Sequence, residues 1–319
     1  MDETYDVVVI GGGAAGLNGA LALVRARRRV LVIDSGAPRN APAGHVHNYL
    51  GREGTPPGEL LALGRAEVAG YGGEFLSGAV TGAYRDDDGF TVHVAEGRTV
   101  RARRLLVTTG LVDELPDVPG LAERWGRDVL HCPYCHGYEV RDQAIGVLAT
   151  GPMAVHQALL FRQLSDDVTL LLHTAPPPAP EEAEQLAARG IVCVEGEVVG
   201  VQVDDDRLSG ARLRSGGVVP LQALVVAPRF TARAEFLGSL GLETVELTMG
   251  AHVVGSYVPA DPMGATAVPG VWVAGNVTDL KAQVIGSAAG GLNAAAAINA
   301  DLVAEDARSA VAARRAVTV

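Results

Sequence analysis

Cys132 and Cys135 bracket Pro133 and Tyr134 in the run His131-Cys132-Pro133-Tyr134-Cys135-His136-Gly137. Cysteines three apart meet across one helical turn, close enough for their sulfurs to bond. Pro133 presets the backbone angle for a helix start, and a helix N-terminus favours thiolate over thiol. A thiolate is the species that exchanges with another disulfide or donates electrons to a flavin. The spacing has a second reading, because C-x-x-C also builds half of a zinc site. Zinc would need two further ligands. The third cysteine, Cys193, stands alone in an apolar strand-like run and is expected in the core. His131 and His136 flank the pair too tightly to complete a finger-like site, so no metal is expected. His136, with an unperturbed pKa near ~6.5, has the chemistry of a base for a thiol. His131 is the alternative base, and a plain structural hydrogen bond is the other role open to either histidine.

What decides between redox and zinc is the scaffold. Residues 5–10 form an apolar strand pattern, followed by Gly11-Gly12-Gly13-Ala14-Ala15-Gly16, an Ala/Leu-rich helix pattern to about residue 28, and a second apolar strand ending at Asp34. This is the strand, G-x-G-x-x-G, helix, strand, acid unit of a dinucleotide-binding fold. Its glycines let backbone approach a pyrophosphate at the helix N-terminus, where unpaired N–H groups and the dipole favour anions. Asp34 is placed to accept from adenosine ribose hydroxyls. Downstream, a Gly/Pro/His-rich loop over 35–58 precedes a helix over 59–69. Strands are predicted over 75–84, 90–94 and 99–107, with a hairpin turn at 86–89. The last of these strands ends in Thr108-Thr109-Gly110, a small-residue turn suited to close approach by a ligand. Pro116 and Pro119-Gly120 punctuate a domain boundary.

The unit recurs after the cysteines: a strand over 144–149, a turn at 150–152, a helix over 154–164 and a strand over 168–172. The second turn is altered. Ala149 stands where the first glycine is wanted, and Pro152 removes a donor beside Gly151, the third position. Where an acid or basic cluster would grip a ribose or its phosphate, the chain runs Ala175-Pro176-Pro177-Pro178-Ala179-Pro180. A retained fold with weak or absent NAD(P)H binding is expected. A helix over 181–189, further strands and a turn at 228–230 lead to Gly270-Val271-Trp272-Val273-Ala274-Gly275-Asn276, then Gln283 and a long small-residue helix over 287–304. That helix is read either as cofactor-touching or as close-packing against the sheet.

Composition bounds the function. The 319 residues are 48% hydrophobic and 20% charged, a globular composition with room for two cores. A net charge of −11 argues against nucleic acid or an anionic membrane as partner. No apolar run reaches the ~20 residues that span a bilayer. The acidic start Met1-Asp2-Glu3-Thr4 is unlike a secretory signal, so a cytoplasmic protein is expected. Three cysteines are too few for a disulfide framework.

Together, residues 11–16 with Asp34, Val46-His47-Asn48-Tyr49-Leu50-Gly51, Thr108-Thr109-Gly110, the cysteine pair, and residues 270–276 with Gln283 resemble the low-molecular-weight thioredoxin reductase family of flavoprotein disulfide oxidoreductases. The resemblance covers essentially the whole chain. It implies an α/β fold of two Rossmann-like three-layer domains. One is a discontinuous FAD-binding domain, residues 1–116 and 241–319; the other is an inserted NAD(P)-like domain, 117–240, carrying the cysteines. It further implies a homodimer. FAD would lie with its diphosphate at Gly13, Ala14, Ala15 and Gly16 behind Gly11, and its ribose at Asp34. Thr109, Gly110, Gly275, Asn276 and Val284 would border it, with the isoalloxazine near Asn48 and Gln283. Cys132 would be the outer sulfur and Cys135 the one beside the flavin. Three departures stand out: Asn276 replaces an aspartate, His136 replaces an acidic residue, and the second nucleotide site is degraded. These resemble the dithiol oxidases that close disulfides in microbial metabolites such as gliotoxin and holomycin. Such a resemblance implies a small-molecule dithiol as substrate and oxygen as electron acceptor. An NAD(P)H-dependent thioredoxin-disulfide reductase is the alternative.

Overall fold

The computed structural model describes residues 4–317. The acidic start, Met1 to Glu3, lies outside them. Strand β1 (Thr4–Ile10), helix α1 (Ala14–Arg25) and strand β2 (Val30–Asp34) form the expected unit, with β1 and β2 parallel. They sit in a seven-stranded sheet ordered Glu74–Ser77, β2, β1, Arg98–Val107, Gly89–Val94 and Val80–Asp86, with Val271–Val273 also paired to Arg98–Val107. The 86–89 hairpin turn forms as read, closing the pair Asp86 and Gly89.

Period-two alternation gives this sheet two apolar faces. Val7, Val9, Val30 and Val32 pack under α1 and the C-terminal helix Val284–Val317, against Leu17, Leu23, Ile298 and Leu302. Tyr5, Val8, Ile10, Leu31 and Ile33 face the other way, onto Phe90, Val92, Leu237 and Val258. Each such fully buried aliphatic side chain contributes about 1.5–3 kcal/mol relative to exposure.

A second, all-parallel sheet runs Val192–Val194, Val168–Leu171, Ile145–Leu148, Ala223–Val225 and Val129–Leu130. Helix residues Ala154, Ala158, Phe161 and Leu186 cover one face. Val198, Val201, Leu208 and Ala211, from a three-stranded sheet, cover the other. The fold is thus the α/β arrangement of two Rossmann-type modules.

Three sequence readings need correction. Cys193 is exposed, not core: its strand is the sheet edge and only one neighbour pairs with it. Residues 229–232, read as beginning in a turn, form a strand antiparallel to Leu111–Glu114. Its Ala232, and Leu237 after it, pack in the core beneath the first sheet, not the second. The long helix begins at Val284 rather than 287 and extends beyond 304 to Val317. Among the described residues no helix is long and apolar enough to cross a membrane.

Candidate active site

The glycine turn is built by exclusion. Gly11 has φ +108°, and a Cβ there would stand 2.5 Å from the Thr108 carbonyl oxygen. A Cβ on Gly16 would stand 1.9 Å from the Gly11 carbonyl oxygen, so only glycine lets α1 approach β1 this closely. Gly13 is the contrast: nothing lies within 4 Å of its Cβ position. It is also the N-cap of α1, with no side chain capping the helix and no acid in the first turn. Unpaired N–H groups therefore face open space, which suits a pyrophosphate.

That space is part of a cavity of about 490 Å3. Gly11, Gly13, Ala14, Ala15 and Asp34 line it. So do Thr109, Gly110, Gly275, Asn276, Gln283 and Val284, together with His131, Cys132, Cys135 and His136. Two expected residues are not brought in. Gly16 acts only through the helix–strand approach just described. Asn48, expected beside the flavin ring, instead donates from its amide to the Tyr134 carbonyl at 2.6 Å, holding the peptide between the two cysteines. It does so at φ +58°, a left-handed conformation that asparagine tolerates.

Cys132 and Cys135 form a disulfide with Cα atoms 5.2 Å apart. Cys132 is the N-cap of the short helix Pro133–His136, and the Cys135 N–H donates to its Sγ at 3.2 Å. After reduction this contact favours the Cys132 thiolate. Among the described residues no group of three or more histidines, cysteines and carboxylates is arranged to hold a metal ion.

The histidines differ. His131 Nδ1 stands 2.9 Å from the Val226 carbonyl, which can only accept, so Nδ1 carries the proton. Its ring meets Phe230 edge-on at 5.3 Å. Burial, the largest influence, pushes its pKa down. His136 is also pushed down, first by burial, then by the neighbouring His47 and His45, while Glu139 pulls it up. Both imidazoles are therefore held toward the neutral form at neutral pH.

Sequence reasoning missed several lining residues. Arg39, from the loop after β2, pairs with Asp113. Arg65, from the helix Pro57–Gly70, does not line the cavity but pairs with Asp34, which does. His47 bridges Glu53 at 2.6 Å and Glu139 at 3.3 Å, tying its loop to the redox segment. The sequence signal for Arg39 and His47 was their place in the Gly/Pro/His-rich loop over 35–58.

The second nucleotide turn has a neighbour that the sequence did not reveal. The Cβ position of Gly151 lies 2.9 Å from His252 Nε2 of the strand His252–Tyr257, so an imidazole packs beside the turn.

A dinucleotide cradle that opens onto a redox disulfide defines a flavoprotein disulfide oxidoreductase. The chain belongs to the pyridine nucleotide-disulphide oxidoreductase family, whose description matches residues 5–295. Within it the chain is thioredoxin reductase-like, a group that binds FAD. It is 30% identical to the thioredoxin reductase sirT of Leptosphaeria maculans, over 95% of each chain. It is 39% identical to the thioredoxin reductase tcpT of Claviceps purpurea, a match spanning about half of either chain (52% and 54%). The crystal structure of HlmI superposes with a TM-score of 0.91 at 48% identity, over 99% of this chain and 98% of that one.

Proposed function

We propose that this enzyme oxidises a small-molecule dithiol to its cyclic disulfide and passes the electrons to oxygen. The observation that carries the reading is the pairing of a disulfide lining the cavity with a second nucleotide turn that carries Ala149 and Pro152 and has His252 packed beside it. In this reading electrons enter through thiols rather than through NAD(P)H. The relatives sirT and tcpT are named thioredoxin reductases, the activity of the alternative reading, so the direction of electron flow is what the experiment must decide.

His136 takes the proton from a substrate thiol. The substrate thiolate attacks Cys132 Sγ, and the Cys132–Cys135 bond breaks with the electron pair leaving on Cys135. The second substrate thiol attacks the mixed disulfide and releases cyclic product, leaving two reduced cysteines. The Cys135 N–H steadies the sulfur of Cys132 as charge builds there. FAD, when bound, would supply the two-electron redox chemistry that links the reduced cysteine pair to oxygen. Gly13, Asp34 and Asn276 are the groups that would hold it.

The test is anaerobic mixing with NADPH and, separately, with a small dithiol. The dithiol is expected to bleach the flavin within seconds and NADPH is not. Rapid bleaching by NADPH would instead establish the reductase alternative. A Cys135→Ser protein that consumed oxygen with a dithiol at the wild-type rate would sink the scheme.

A further inference from the structure

Arg39 and Asp113, in the cavity wall, have no part in that scheme. Arg39 donates from Nε and Nη2 to the two carboxylate oxygens of Asp113, at 2.7 and 2.6 Å. Its Nη1 donates to Asn276 Oδ1 at 3.1 Å. The guanidinium also lies 5.3 Å from the centre of the Phe230 ring. Strand register supports this placement, because Asp113 pairs directly with Phe230. The Asp113 side chain is only 8% exposed, so its charge needs Arg39. The planar fork of an arginine fits such a bidentate carboxylate and leaves a third N–H for a neighbour.

Asn276 is equally constrained. Its Nδ2 donates to the carbonyls of Asp279 and Ala282, both at 2.9 Å. Those two bonds use both amide hydrogens, and Arg39 takes one lone pair of Oδ1. One acceptor lone pair remains, on a residue that lines the cavity. Turning the amide over would set its oxygen against two carbonyls and its NH2 against a guanidinium. A carboxylate would suffer the first half of that penalty whichever way it turned.

We propose that Arg39, clamped by Asp113, is a positioning residue for the flavin cofactor, which presents Asn276 Oδ1 to it as a pure acceptor. Asparagine, not aspartate, is required at 276 because the loop 276–282 is closed through its NH2. The negative charge that balances Arg39 stands at Asp113 instead. This inference rests on the assignment of the cavity to FAD, and the experiment separates the two. If purified wild-type protein carries no FAD, the assignment fails; if it carries FAD but the variants release it normally, only the role of Arg39 fails.

Flavin release from the holoenzyme is followed by the rise in FAD fluorescence in wild type, Arg39→Gln and Asn276→Asp. Both variants are expected to release FAD about tenfold faster or more, the scale of one hydrogen bond to a charged group lost together with the alignment it imposed. The thermal gain that added FAD gives the apoprotein should shrink in both. Arg39→Lys keeps the charge beside Asp113 but cannot fork to both partners, so it tests the same point if Arg39→Gln does not fold. Release at the wild-type rate from Asn276→Asp or from a folded Arg39 variant would overturn the proposal. So would a fall in apoprotein stability with the FAD-induced gain unchanged.

Discussion

His136 carries the sharpest residue-scale consequence. A base must be unprotonated, and burial holds this imidazole below its ordinary pKa. Dithiol oxidation should therefore stay constant from neutral into mildly acid pH and fall only below the usual imidazole value. His136→Gln is expected to remove that acid limb and cost about 10²–10⁴-fold in kcat/KM, the range for losing a general base. Glu139 raises the pKa of His136, so Glu139→Gln should move the limb to lower pH, measured as the kcat/KM profile. At this scale the cysteine pair, both histidines and the glycine cradle were legible, because their chemistry follows from residue type and spacing. Arg39 and the true contact of Asn48 were not. Both sit on irregular loops, where no periodicity says which way a side chain points.

Elements show how tightly the scaffold is set. Gly291, on the C-terminal helix, has a Cβ position 1.9 Å from the Ala15 carbonyl oxygen, and Gly19 on α1 faces Gly291 at 3.0 Å. The two small-residue helices are thus pressed together beside the cofactor end, while the first turn of the longer one lines the cavity through Val284 and Ser287. The close-packing reading of that helix holds at Gly291. Gly291→Ala should destabilise the protein by about 1–3 kcal/mol through overpacking. Gly286→Ala, with its nearest neighbour at 3.8 Å, should stabilise it by about 0.4–1 kcal/mol through lost unfolded-state freedom. Urea denaturation of the two variants compares them directly. The altered second turn was visible in the sequence as Ala149 and Pro152, but the packing of His252 beside it was not, since residues about 100 apart meet only in the fold. His252→Ala removes that neighbour without supplying a basic grip on NADPH, so NADPH should still fail to bleach the flavin anaerobically.

Across the molecule, ion pairs fasten the C-terminal helix to the first sheet. Arg103 joins Asp6, Glu305 and Asp306 at 2.5–2.8 Å, and Arg104 joins Asp301 at 2.6 Å. Against the opposing effect of burial, Arg103 and Arg104 hold the Glu305 carboxyl below the usual range, and Arg28 with Arg103 does the same for Asp306. Arg124 and Arg127 likewise draw Asp206 down to about 2. Folded pKa values below the unfolded ones mean stability that is present at neutral pH and lost as pH falls through the folded values. Thermal stability should therefore decline below about pH 4, near the unfolded carboxylate values. Arg103→Met should cost about 1–2 kcal/mol at pH 7, between the ranges for exposed and buried pairs, and flatten that decline.

The order of strands, glycine turns and helices that makes two Rossmann-type modules was determined by sequence alone, because period-two and helical patterns, glycines and caps are local properties. So was the redox character of Cys132 and Cys135, once the cradle at Gly11 to Gly16 was recognised. Tertiary structure alone decided which side chains share the cavity. The strand Arg229–Ala232 pairs with Leu111–Glu114, Cys193 is exposed on an edge, His252 packs beside the second turn, and Arg39 reaches Asp113 and Asn276. Each of these depends on a contact between segments distant in the chain, and only burial and hydrogen-bond satisfaction in three dimensions select such contacts.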